Sequence, residues 1–111
     1  MAYRLSHELV LEAPARVPDG AGGFSESWVA LGTLWAKVIA RTGRAKASGA
    51  APLSLMALRI IVRAAPPGSD ARPTPEQRFR HNTRLYRILS VAEDDSDGRY
   101  RVCTAQEETV A

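Results

Sequence analysis

The chain has 111 residues, a formal net charge of +3, 45% hydrophobic and 24% charged residues, and one cysteine. This length and balance fit a single domain, 1–111, with a modest core, and exclude wholesale disorder; a lone cysteine excludes an intrachain disulfide and a cysteine-rich metal site and fits a reducing compartment. Residues 1–80 hold 11 Lys+Arg against 6 Asp+Glu and residues 81–111 hold 4 against 6, a bias too thinly spread for a dedicated nucleic-acid binder.

The opening MAYRLSHELVLEA is too polar for a secretory leader. Within it, residues 7–13 put Leu9, Leu11 and Ala13 on one face and Glu8, Val10 and Glu12 on the other, the period-two pattern of a half-buried strand. Pro14, Pro18, Asp19, Gly20, Gly22 and Gly23 punctuate residues 14–25 and predict a hairpin-like reversal. The run WVALGTLWAKVIAR, residues 28–41, is long enough for one bent strand or two short ones, with a bulge or bend expected at Gly32 and both Trp28 and Trp35 expected on the core.

TGRAKASGAAPLS, residues 42–54, is dominated by small residues and reads as a long flexible loop, with a helical turn open to residues 53–57. Leu58, Ile60 and Val62 then alternate with Arg59, Ile61 and Arg63, a strand pattern whose two arginines also interrupt the longest apolar run and exclude a membrane span. Pro66-Pro67-Gly68 opens a polar connection. Residues 76–80 and 84–91 form a hairpin about His81-Asn82-Thr83, and Asp97-Gly98 turns the chain into a last strand over residues 99–105. The tail, 106–111, carries no packing signal and is expected to fray. About six strands, at most one short helix and no βαβ spacing predict a mainly β fold, a small antiparallel barrel or sandwich.

Catalytic and ligand-binding chemistry finds little footing. His7 and His81 lack metal-ligand spacing, no GxSxG elbow or glycine-rich phosphate loop occurs, and Cys103 lies mid-strand, where a small core or interface role is expected. The acidic run from Glu93 to Asp97 lacks the spacing of a calcium loop and reads as a solvated turn. No enzyme activity and no cofactor are expected, which leaves an interaction protein.

The ordered features are an early strand, a proline and Gly-Gly turn, Trp28, then Leu34-Trp35-Ala36-Lys37-Val38 leading into the loop. Ile60-Ile61-Val62-Arg63, the Arg78-Phe79 strand and Arg84-Leu85-Tyr86-Arg87-Ile88-Leu89-Ser90-Val91 follow. Over nearly its whole length the chain resembles the head-closure or head-tail joining family of long-tailed phages, which includes stopper proteins of gene transfer agents. The resemblance implies a barrel that assembles into a homo-oligomeric ring, a hexamer favoured over a dodecamer, in bacterial cytoplasm at the head-tail interface of a phage-like particle. Its implied partners are a portal-side adaptor, a tail-terminator or tail-tube protein, and packaged double-stranded DNA without sequence specificity, with no membrane.

It further implies that the loop after the Trp35 strand points into the central channel and narrows or closes it. Here that loop carries Thr42, Gly43, Arg44, Lys46 and Gly49 beyond Arg41, and its cations would meet phosphates without reading bases. Trp28, Trp35, Phe79 and Tyr86 are the expected core or interface anchors. Two other readings stay open: an OB-like nucleic-acid-binding barrel, which needs exposed aromatics to stack bases, and a tail-terminator ring protein.

Overall fold

The computed structural model describes residues 3–41, 57–93 and 98–108. They form six strands, β1 (His7–Pro18), β2 (Phe24–Arg41), β3 (Ala57–Arg63), β4 (Arg78–His81), β5 (Arg84–Glu93) and β6 (Tyr100–Glu108). All neighbours are antiparallel, and the order β1-β2-β3-β6-β5-β4 closes into a barrel where β4 meets β1. The mainly β expectation holds, with no helix among the described residues; the helical turn expected at 53–57 falls outside them except for Ala57, which opens β3.

Alternation along each strand builds the core. Leu9, Leu11, Leu34, Ala36, Leu58, Ile60, Val62, Phe79, Tyr86, Ile88, Cys103 and Ala105 point inward and form one buried cluster. Six strands leave a narrow interior, in which the ring of Phe79 shares the cluster with the small side chains of Ala36, Cys103 and Ala105. Ile61 and Tyr100 have the opposite parity yet are also buried, and Tyr3 packs edge-on against Tyr100 with ring centroids 5.1 Å apart. Tyr3 thus covers Tyr100 on the barrel's outside.

Several boundaries differ from the sequence expectation for identifiable reasons. β1 continues through Pro14 to Pro18, so the expected turn over 14–25 shrinks to the reversal between Asp19 and Gly23. Asp19 N–H donates to the Gly23 carbonyl at 3.0 Å, which makes the odd positions of β1 the bonded ones in this hairpin. Pro14 and Pro18 therefore occupy positions whose N–H would face away from β2, and its absence removes no bond. Residues 13–18 of β1 and 24–30 of β2 pair with no third strand and extend as an arm beyond the barrel wall.

The bend expected at Gly32 is present as a bulge. Leu11 pairs with Gly32 and Glu12 with Ala30, which leaves Leu31 without an opposite residue. A second bulge leaves Leu89 unmatched between the pairs Ile88–Ala105 and Ser90–Thr104. Asn82 adopts φ 59° in the tight turn between β4 and β5, as its position in the predicted hairpin requires. The tail expected to fray from residue 106 instead stays in β6 to Glu108, because Gln106 is paired on both sides, with Ala57 and with Arg87.

Candidate functional site at the loop end of the barrel

The strand directions sort the connections onto two ends. Arg41 at the end of β2 pairs with Ala57 at the start of β3, so residues 42–56 leave from one end. His7, the Asn82-Thr83 turn and Glu108 lie at the same end. The arm, the connection over 64–77 and Gly98 lie at the other.

The mouth at the loop end opens into a cavity of about 210 Å³ lined by His7, Leu9, Val38, Ala40, Leu58, His81, Arg84 and Tyr86. Its walls are largely apolar. The His7 and His81 rings meet edge to face at 6.3 Å, and Arg84 sends Nε and Nη2 to the two carboxylate oxygens of Glu107 at 2.8 and 2.9 Å. That fork holds the Glu107 carboxyl below the usual carboxylate range. Among the described residues no three His, Cys, Asp or Glu side chains gather as a metal site. Cys103 is fully buried, and burial pushes its thiol up to about 12; its expected role as a small core side chain holds.

Of the loop residues singled out by sequence, Arg41 is the last residue of β2. Thr42, Gly43, Arg44, Lys46 and Gly49 lie outside the described residues, as do Asp94, Asp95 and Asp97 of the acidic turn. The four aromatic anchors divide. Phe79 and Tyr86 are core, at 0% and 3% exposure. Trp28 is half-buried at the base of the arm, with the Arg78 guanidinium 4.0 Å over its ring. Trp35 is 55% exposed, which corrects its expected place in the core: Leu34 and Ala36 point inward, so alternation sends Trp35 out.

Sequence reasoning missed the joint that closes the barrel. Glu12, read as a surface residue beside Glu8 and Val10, is 6% exposed. Its two carboxylate oxygens accept from Arg78 Nε and Arg80 Nε, each at 2.7 Å. Burial raises the Glu12 pKa, but the bonds from Arg80 and Arg78 and their charges outweigh it and leave the carboxyl below its ordinary range. The clamp stands where only Val10, Leu11 and Glu12 pair with β4, so side-chain ion pairs reinforce a short ladder. The Arg78-x-Arg80 spacing, two cations on one strand face, was the available signal.

A closed six-stranded barrel with a buried thiol, an arm at one end and a long connection at the other defines a small all-β module that presents surfaces. The chain belongs to the phage head completion protein family, which matches residues 1–108. It is also similar to a solved chain from the "Virion of native gene transfer agent (GTA) particle", at 49% identity and a TM-score of 0.82, covering 99% of this chain and 100% of that one. No curated protein matches it. The resemblance read from the sequence is thereby confirmed at the level of family.

Proposed function

We propose that this chain is a non-enzymatic connector subunit that forms a ring between the portal-side adaptor and the tail of a phage-like particle and helps retain packaged DNA. The observation that carries the reading is end-to-end similarity, at 49% identity, to a chain of a gene transfer agent virion, together with membership of the head completion family. The geometry agrees with it: the connection 42–56 leaves one end of the barrel between two paired strands. A ring of such barrels, hexameric in the favoured form, brings several copies of that connection together about the symmetry axis. Small residues such as Gly43 and Gly49 allow close approach there, and Arg41, Arg44 and Lys46 supply charge toward DNA phosphates without base recognition.

The base-stacking alternative loses support, because Phe79, Tyr86 and Tyr100 are buried and the exposed aromatics Phe24 and Trp35 stand eleven residues apart on β2 rather than as a platform. Cryo-electron microscopy of particles containing the chain tests the proposal. Ring density at the head-tail vertex, with 42–54 toward the axis, is the expected result; absence of the chain from the vertex overturns it. Replacing Arg41, Arg44 and Lys46 together with alanine should leave rings intact and lower DNA retention, and unchanged retention removes the DNA-contact role.

A further inference from the structure

We infer that neighbouring copies of this chain meet through two opposite walls of the barrel, the β2 wall around Trp35 on one copy against the β5 wall around Leu89 on the next. The inference rests on the ring reading and adds to it the surface by which the ring closes. Rotational symmetry with more than two members requires two different patches on each subunit, facing away from one another. In the order β1-β2-β3-β6-β5-β4, strands β2 and β5 are three places apart and so occupy opposite walls. Each carries a large exposed apolar side chain in the barrel body, Trp35 at 55% and Leu89 at 51%. Alternation from the inward Ile88 sends Leu89 outward, and the bulge that follows keeps Ser90 outward too and returns Val91 to the core.

The surrounding charges are complementary and run in the same direction. On the β2 wall, Glu8 is the register partner of Trp35, and Lys37 lies two residues further toward the loop end. Glu8 makes no ion pair with a described residue. On the β5 wall, Arg87 lies two residues from Leu89, and Glu108, opposite Leu85, lies further toward the loop end. Their mutual contact is long, 3.7 Å, with the Arg87 side chain 52% exposed. Arg78 and Arg80 on the adjoining strand are committed to Glu12, so Arg87 is the cation this wall offers. Two copies placed side by side with loop ends aligned bring Glu8 to Arg87 and Lys37 to Glu108, pairs that share the same two-residue spacing, with Trp35 level with the first pair and Leu89 two residues from it on the arm side. A groove of about 390 Å³ lined by Glu8, Val10, Thr33, Arg80, His81 and Asn82 runs beside Trp35 and gives the incoming wall a concave seat.

The test uses assembled particles carrying W35C and L89C chains, treated with a short bismaleimide and imaged by electron microscopy in parallel. Cys103 is buried and stays silent. The expected result is cross-linked dimers when the two variants are mixed, none above background with either alone, and a ladder of multimers when both substitutions share one chain. In addition, E8R or R87E alone should lower incorporation about tenfold, and E8R/R87E together should restore it. Cross-linking by W35C alone, which marks a two-fold contact, overturns the proposal. Rings seen at the vertex without mixed cross-links overturn this interface and leave the ring reading standing, whereas absence of any ring of this chain overturns both.

Discussion

Replacing Glu12 with glutamine is the most direct probe of what holds the barrel closed. The substitution keeps shape but removes the charge that Arg78 and Arg80 share at 2.7 Å each. Removing one partner of a buried ion pair costs about 3–5 kcal/mol, because the remaining charge is left buried and uncompensated. Here the Arg78 side chain is 16% exposed but Arg80 is 41% exposed and recovers water, so a loss of about 3 kcal/mol is expected, roughly 10–20 °C in melting temperature for a domain of this size. Urea unfolding followed by circular dichroism at pH 7 measures it. The pH dependence supplies a second arm. Because the folded carboxyl lies below its ordinary value of 4.5, Glu12 contributes its full stabilisation above that value and loses it as the pH falls through the folded pKa. The gap between wild type and E12Q should therefore narrow in acid and close once the wild-type carboxyl is protonated. A penalty under about 1 kcal/mol at pH 7, or a gap that persists undiminished in acid, refutes the clamp.

Other consequences are as open to measurement. Glu76 holds φ 80°, so Glu76→Gly should leave the melting temperature unchanged or raise it by a few degrees, unlike glycine at an ordinary strand position; a clear fall contradicts this. Asp19 Oδ1 accepts from the N–H groups of Ala21 and Gly23 at 2.8 and 3.1 Å, so Asp19→Ala should speed hydrogen exchange of those two amides while the urea midpoint of the barrel stays put. Cys103, fully buried with its thiol pushed up to about 12, should resist maleimide at neutral pH in the folded protein and react promptly in urea; equal rates show an accessible thiol. Phe79→Ala, which empties the centre of the core cluster, should cost about 3–5 kcal/mol by urea unfolding.

What the sequence made legible follows the strength of its local signals. Leu9 and Leu11, or Leu58, Ile60 and Val62, alternate in strand period and their strands could be read directly; Asn82 marked a real turn at φ 59°, and Gly98 takes the positive φ, 68°, that glycine was expected to supply. Trp35 was misread because size and hydrophobicity argued for burial, whereas the parity fixed by Leu34 and Ala36 decides the matter. Pro14 and Pro18 were taken as strand breakers, yet proline is harmless wherever the missing N–H faces no partner, and which side that is depends on register. The Glu12 clamp joins residues 66 and 68 positions apart, a separation no local pattern encodes. The extension of β6 to Glu108 likewise comes from having neighbours on both sides.

Closure of the sheet also changes how the chain can associate. Pairing of β4 with β1 closes the sheet and leaves free ladder only where strands outrun their neighbours, as on β2 before Ala36 and on β5 beyond Ile88. Unpaired backbone persists on the arm, and there Pro14 and Pro18 stand at the outward-facing positions of β1. A strand approaching that side meets no donor at either residue, so strand addition along β1 is blocked by the same register that lets the prolines stay in the hairpin. In the proposed ring, contact between barrel bodies then relies on side chains, while the outer edge of β2 stays open along the arm; the exposed apolar groups of the barrel body, Trp35 on β2 and Leu89 on β5, lie on walls that face apart. In the proposed ring, a barrel arranged this way suits lateral, head-to-tail packing of identical subunits rather than edge-to-edge sheet growth, which keeps the loop end of every copy pointing the same way.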